Sequence, residues 1–480
     1  MNNKTNTLAK AVRLATLATI AAPASVMAGG FSLNEQSAST SGYANAGAAA
    51  YAENASTVVF NPAGMSKLSG TNVSFGASVL DIDAEAKGST QNTTNQVGLE
   101  VEDGEGGDIA DPAVLPSLFV THEVNDSIDV GFALHAPYGL AADYDDDFEG
   151  RYFADETELS VISFAPSISL NNGQGLSMGI GMNVMYAEGK LTKFIDNSAA
   201  SVGYTSTNPG YTGPTNPGHF GDGYADVEGD DVGVTFRVGF LYDLSERTQL
   251  GLNFQTGTEL ELEGEGEFTN FATLNSVGTG TTTTATEDVT VPLNIPESVS
   301  FGLSHQATDS ITLLAGATYA KWSRFEELDV VSDEGGSGPV SSQPGVSDPI
   351  SHVTEKWQNT WQYNVGGIWQ ATPQWQFKAG YAYDESPVNE DYVTARIPSQ
   401  DRHWLTLGAQ WKDQQSGWTI DAALGTLIFD GDAKVNDTNY KHDAPSEQAT
   451  LASGDPDQSN YQAEYDLSAW SASLQVSKAF

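Results

Sequence analysis

Two stretches of this 480-residue chain concentrate carboxylates: "DYDDDFEG" (Asp143 to Gly150) and "GDGYADVEGDD" (Gly221 to Asp231). Oxygens at that density could hold a calcium ion, but neither stretch has the ligand spacing of a calcium-binding loop, so both read as solvated acidic loops and no metal is expected. The spaced glycines of "GQGLSMGIG" (Gly173 to Gly181) lie inside an alternating strand rather than between a strand and a helix, which argues against a phosphate loop. Seven histidines are present, none in a recognisable nucleophile context, so no enzyme and no cofactor is expected. What stands out is a turn, Asn61-Pro62-Ala63-Gly64, flanked by apolar residues and belonging to no hairpin. Pro62 fixes one dihedral and lacks an N–H, Gly64 permits a tight path, and the Asn61 side chain can satisfy backbone groups.

The ends of the chain place it. Lys4, Lys10 and Arg13 precede an apolar run, Leu14 to Ala22, and Val26-Met27-Ala28 offers a small residue for cleavage; residues 1–28 read as a secretory signal peptide. No later window is long and apolar enough for a membrane-spanning helix. The chain has no cysteine, so it is not a small disulfide-stapled domain. Removal of the leader takes the formal net charge from -43 to -46, which excludes the basic surface that nucleic acid requires. Such acidity suits solvated loops, or loops that bind divalent cations at a lipopolysaccharide surface.

Period-two alternation dominates the rest. In "LSMGIGMNVMY" the residues Leu176, Met178, Ile180, Met182, Val184 and Tyr186 share one face, and "VGVTFRVGFLY" repeats the pattern from Val232 to Tyr242. The same test gives fourteen segments, beginning near residues 72, 115, 127, 159, 176, 232, 248, 297, 311, 360, 374, 403, 417 and 468. Most are of a length that crosses a bilayer at barrel tilt. Short turns such as "NNGQG" and "DLSERT" alternate with longer polar excursions such as Ala187 to Asp231 and Phe429 to Asp466. A soluble sandwich or propeller has no reason to sort its loops in this way, whereas a bacterial outer-membrane barrel does. The chain ends "WSASLQVSKAF", an alternating strand closed by Phe480, the kind of ending that barrel-assembly machinery recognises. The expectation is an all-β, fourteen-stranded transmembrane antiparallel barrel over residues 71–480, multi-pass in the outer membrane and monomeric.

A barrel of that size leaves a lumen too wide for its own side chains to fill. Residues 29–70 have no strand of their own and are rich in Gly, Ala, Ser and Asn, with apolar points at Phe31, Leu33 and Phe60. An N-terminal hatch, or plug, inside the lumen is the simplest place for them.

The segment "GGFSLNEQSASTSGYANAGAAAYAENASTVVFNPAGMSKL" resembles the start of the FadL-type transporters of long-chain fatty acids and hydrocarbons of the Gram-negative outer membrane. Further patches fit: "APYGLAADYDDDFEGRYF", "YAKWSRFEEL", "GYAYDESPV" and "RIPSQDRHWLTLG". The resemblance implies capture of a hydrophobic molecule in an apolar groove among the extracellular loops and transfer to a pocket at the hatch. It further implies sideways exit through the wall at a kinked third strand, for which Gly131 and Pro137 are the candidate positions. It makes Asn61 to Gly64 a hatch motif. Cations in these patches, Arg151, Lys321, Arg324, Arg396 and Arg402, are candidate contacts for a substrate carboxylate; acids close in sequence (Glu149, Glu326, Asp401) offer the alternative of structural salt bridges. Trp322 and Phe325 could line the apolar route or belong to a membrane-interface girdle. Long-chain fatty acids are the first substrate class, aromatic or alkane hydrocarbons the second. A polar-solute porin, or an adhesive barrel acting through acidic loops, would be of a different class.

Overall fold

The computed structural model describes residues 29–92, 104–197, 201, 220–274, 280–343, 346, 348–438 and 460–480. The expected signal peptide, residues 1–28, lies outside the described residues.

Strands come in chain order as β1 (Thr71–Asn92), β2 (Ala113–Asn125), β3 (Ile128–Asp143), β4 (Glu156–Asn171), β5 (Leu176–Ile195), β6 (Gly223–Ser245), β7 (Thr248–Gln255), β8 (Thr258–Leu274), β9 (Gly280–Ile295) and β10 (Ser298–Thr308). They continue as β11 (Ile311–Ala320), β12 (Glu327–Ser332), β13 (Ser351–Thr354), β14 (Thr360–Gln370), β15 (Trp375–Asp384), β16 (Arg402–Lys412), β17 (Trp418–Phe429), β18 (Ala433–Thr438) and β19 (Asn460–Ala479). All but β8, β9, β12, β13 and β18 form a closed antiparallel ring, β1 to β7, then β10, β11, β14 to β17 and β19, which returns to β1. That ring has the fourteen strands expected. The terminal residue helps close it: Phe480 N donates to Thr71 O at 2.8 Å.

Where the ring crosses the bilayer, the apolar faces of its strands point outward. On β6, Val232, Val234, Phe236, Phe240 and Tyr242 are exposed, while Thr235 and Arg237 between them are buried. On β19, Trp470 and Leu474 are exposed, while Ser471, Ser473, Gln475 and Ser477 are buried. A water-soluble sheet would hide the first set. Here lipid takes the place of a core, and the polar face needs an inner partner. Aromatics mark both rims: Trp369, Trp375 and Phe377 by the short turns, and Tyr319, Trp361, Tyr363 and Tyr381 at the opposite end.

Two expectations need correction. Several strands run far beyond the bilayer: β6 has 23 residues and β5 has 20, against the ~9–11 that a span needs. The supposed excursions Ala187 to Asp231 and Phe429 to Asp466 therefore begin and end in strand, at Ala187 to Ile195, Gly223 to Asp231, Ala433 to Thr438 and Asn460 to Asp466, and β8, β9, β12, β13 and β18 extend the wall on the same side. Sequence alternation faded there because neither face of the extension meets lipid, so acids such as Glu228 and Asp230 could replace the outward apolar residues.

The N-terminal segment lies inside the ring. It contains α1 (Ala38–Ser41), α2 (Thr57–Phe60) and a 3-10 turn over Pro62–Lys67, and no residue from Phe31 to Met65 is exposed, most being buried. Bonds to the wall surround it: Ser37 Oγ donates to Gln475 Oε1 at 2.7 Å, Ser78 Oγ donates to Glu35 O at 2.6 Å, and Ser66 Oγ meets Ser177 Oγ at 2.7 Å. Glycines of neighbouring strands form a track beneath it. A Cβ added at Gly251 would stand 1.9 Å from Ala49 O, and one at Gly380 would stand 2.1 Å from Tyr43 C; Gly302, Gly316, Gly366 and Gly408 are similarly close to residues 42–50. Only glycine lets this backbone lie flat on the wall.

Candidate functional site

The turn Asn61-Pro62-Ala63-Gly64 is fixed by one side chain. Asn61 Oδ1 accepts from Ala63 N at 3.0 Å and caps the 3-10 turn, while Nδ2 donates to Ala49 O at 2.6 Å and to Phe240 O of β6 at 2.9 Å. One amide thus joins two parts of the segment to the wall. Replacing Asn61 by Ala removes a cap and leaves two carbonyls without this donor, an expected loss of about 2–4 kcal/mol in urea unfolding. Asn61→Asp should cost a similar amount, because a carboxylate keeps the cap but cannot donate. Phe60 packs against the cluster of Ala55, Val58, Val59 and Met65 with Phe119, Ala133 and Ala165 of the wall.

The third strand leaves a break in the wall. The β2–β3 ladder ends at the pair Leu118↔Leu134, although both strands continue. Beyond it β2 pairs only with β1, and β3 pairs only with β4, with a register shift between His135 and Tyr138 that spans Pro137. Gly131 is not part of the break: it pairs with Thr121 on one side and Ser167 on the other. A Cβ there would stand 2.4 Å from Met65 Sδ, so contact with the N-terminal segment explains the glycine. Residues 31–33 line the inside of the break. Ser32 is bridged to Tyr138, with Leu33 N donating to Pro137 O at 3.0 Å and Gly139 N donating to Phe31 O at 2.9 Å. Across the top, Ile109 N donates to Ala84 O of β1 and Ile109 O accepts from Asp143 N of β3.

Phe31 also belongs to a buried aromatic cluster. Its ring centroid lies 5.1 Å from Trp322, 5.3 Å from Phe325 and 4.9 Å from Trp357. Trp322 and Phe325 are each 1% exposed, so neither is a girdle residue. Beside this cluster is a cavity walled by Phe31, Phe325, Leu328, Ile397, Leu140, Leu159, Leu191, Val227, Leu262, Val291 and Leu293, with Thr157, Glu158 and Lys190 as its polar members. As it stands the cavity encloses only about 40 Å³, well below the ~300–1,000 Å³ of small-molecule sites, so a long ligand fits only when its walls move. Leu33 is buried next to it.

Of the candidate cations, three are held by carboxylates, and not by those nearest in sequence. Arg151 pairs with Asp222 at 3.0 Å, Arg324 with Glu297 at 3.0 Å and Arg402 with Asp384 at 2.8 Å; Lys321 is exposed. The fifth candidate, Arg396, adjoins the cavity, next to its lining residues Ile397 and Thr157. Arg396, in the connection between β15 and β16, donates to Thr157 Oγ1 at 2.8 Å, Thr192 O at 2.8 Å and Glu156 O at 3.3 Å, none of them a carboxylate. Burial lowers its affinity for the proton from the ordinary guanidinium range. Half-buried Lys193, on β5, donates to Ser351 Oγ at 3.0 Å and is close enough to feel the Arg396 charge. Lys190 reaches Glu156 at 2.6 Å. Their spacing, "EGKLTKF" (Glu188 to Phe194), hints at lysines on alternate faces, but only packing shows which one meets the lumen. Among the described residues one group could also hold a cation, Glu327, Asp329 and His352, whose ligand atoms lie within 4.8 Å of one another; His352 already bonds Asp329 at 2.6 Å.

A barrel with an occupied lumen, an apolar cavity and a broken third strand narrows the possibilities, and comparison with known proteins decides between them. The family model described as "Outer membrane protein transport protein (OMPP1/FadL/TodX)" matches residues 18–480. The chain belongs to the FadL/TodX family. Among relatives, the long-chain fatty acid transport protein of Escherichia coli O6:H1 is 26% identical over 79% of this chain and 82% of its own length. Among solved structures, a Pseudomonas aeruginosa FadL homologue superposes with a TM-score of 0.77 at 22% identity, over 94% of this chain and 100% of that one. The Pseudomonas putida toluene transporter TodX gives 0.64 at 18% identity, over 94% and 99%. These similarities confirm the fold. FadL/TodX proteins are outer-membrane transport channels for hydrophobic molecules rather than enzymes, and that class and location hold for this chain.

Proposed function

We propose that this FadL/TodX protein takes up long-chain fatty acids passively, holding the tail in the cavity beside Phe31 and releasing it sideways through the break between β2 and β3. Residues 29–70 act as the hatch of the barrel formed by residues 71–480. The observation that carries this reading is the pairing of Phe31 to Leu33 with the kinked part of β3: the same short segment lines the cavity and covers the break from inside. Its displacement would open an exit and weaken the binding site in one step. Arg396 and Lys193 supply the positive charge that a carboxylate head requires, a better-placed pair than Arg151, Lys321, Arg324 or Arg402.

Magnitudes require such coupling. Burying about fifteen methylenes at ~0.8 kcal/mol each gives on the order of 12 kcal/mol, near-nanomolar binding if fully realised. A rigid pocket of that depth would trap its ligand. The likeness to TodX keeps uptake of aromatic or alkane hydrocarbons as the second reading, in which Arg396 and Lys193 would be structural. The test is binding and transfer of oleic acid by the full chain in proteoliposomes, together with bilayer conductance. Saturable acid binding with negligible conductance is expected; steady salt-dependent conductance without fatty acid binding would instead mean a polar-solute porin.

A further inference from the structure

Below the apolar cavity, toward the short turns, the inner face of the wall changes to the opposite chemistry. Along β3, β5 and β6 the cavity residues Leu140, Leu191 and Val227 give way to His135, Asn183 and Arg237 on the inner face. Lower still, Asn61 binds Phe240 O, so this polar cluster lies between the cavity and the hatch turn.

Arg237 is 5% exposed. Its Nε donates to Gln255 Oε1 at 2.9 Å, and Gln255 Nε2 in turn donates to the Tyr138 hydroxyl, across the lumen on β3, at 3.0 Å. Among the described residues no carboxylate pairs with the guanidinium. His135 is 1% exposed and neither ring nitrogen has a hydrogen-bond partner; Arg237 is the charge that acts on it. Asn183 donates to Thr235 Oγ1 at 2.9 Å, but its own Oδ1 is unpartnered.

A buried charge without a counter-ion is costly, and buried polar atoms left open in a native fold call for an absent partner. The chain carries 63 acids against 20 lysines and arginines, so a buried cation that meets none of those acids is a selected environment. His135 is also the first residue of β3 past the final pair with β2, at the foot of the break. We propose that Arg237 and His135 form a carboxylate site, occupied by the head group of an amphiphile as its tail leaves through the break. This rests on the uptake reading above and adds a second, lower station to it: the guanidinium presents charged donors and the imidazole an N–H, the set that a carboxylate accepts.

The test compares oleic acid with oleyl alcohol, of equal chain length, in transfer from the full-length protein to lipid vesicles. Arg237→Met should slow transfer of the acid about tenfold, the size of a lost charge-assisted hydrogen bond, and leave the alcohol unchanged. His135→Leu should give a smaller slowing, again confined to the acid, and Arg237→Lys should keep most of the rate. Heat-modifiable mobility on gels checks that each barrel is folded. If Arg237→Met alters acid and alcohol alike, or neither, the site holds only water or a free inorganic anion and the proposal is overturned. A wild-type chain that transfers neither molecule would instead overturn the uptake reading itself.

Discussion

Oxidising a Ser32→Cys, Tyr138→Cys double variant will abolish transfer of fatty acid to lipid while leaving binding within about twofold of the reduced protein. Ser32 and Tyr138 oppose each other in an antiparallel bridge whose flanking bonds are Leu33 N to Pro137 O and Gly139 N to Phe31 O. That makes them a non-hydrogen-bonded pair, the narrow kind in which Cα atoms stand ~4.5 Å apart and side chains are closest, within reach of a disulfide. The chain has no other cysteine to compete. The cross-link pins the segment that lines the cavity over the break, so the tail can be held but not released. The reduced form of the same variant controls for loss of the tyrosine, whose hydroxyl accepts from Gln255. Equal transfer rates before and after oxidation would show that the segment does not gate the exit.

The second large effect concerns what seats the hatch. Lys378, on β15, is buried with its Nζ 2.7 Å from Glu53 of the hatch, 2.9 Å from Asp421 of β17 and 3.1 Å from Ser39 O. Gln410 donates to the same two carboxylates at 2.8 Å and 2.9 Å. Burial raises the Glu53 carboxyl above its ordinary range, with Lys378 opposing that rise. Lys378→Met leaves two acids side by side in the lumen without their cation, a loss of about 3–5 kcal/mol by analogy with other buried pairs. The hatch is the element that can yield, so the variant should conduct ions in planar bilayers where the wild type does not. Replacing all three together (Lys378→Met, Glu53→Gln, Asp421→Leu) should restore the seal, because uncharged side chains of similar volume avoid the desolvation that the triad must overcome. A Lys378→Met barrel with unchanged stability and no conductance would remove the triad from this role.

The fourteen wall strands were legible because lipid imposes a strict rule on them: every second residue outward must be apolar, as in Leu176 to Tyr186. The starts expected at residues 176, 248, 311 and 360 match the structure. Those expected at 232 and 468 come late, at strands that begin at Gly223 and Asn460, where the wall has left the bilayer and the rule no longer applies. The place of the N-terminal segment inside the ring was legible from what it lacks, a strand pattern of its own ahead of a lumen too wide to close. The partners of the candidate cations were not, although Arg396 stood among those candidates. Proximity in sequence suggested Glu149, Glu326 and Asp401 as partners, whereas Asp222, Glu297 and Asp384 supply them, because strand register decides which charges meet.

Sequence by itself therefore determined the class of the protein: an exported, acidic, fourteen-stranded barrel of the FadL/TodX family, preceded by a strandless segment ending in Asn61-Pro62-Ala63-Gly64. These properties follow from local rules of alternation, turn chemistry and export. Tertiary structure alone decided that the Asn61 amide would join Ala49 to Phe240, that glycines from Gly251 to Gly408 would line up as a track for the hatch, and that Phe31 to Leu33 would lie behind the break in β3. Each of these depends on residues tens to hundreds of positions apart, and only ring closure and register bring them within bonding distance.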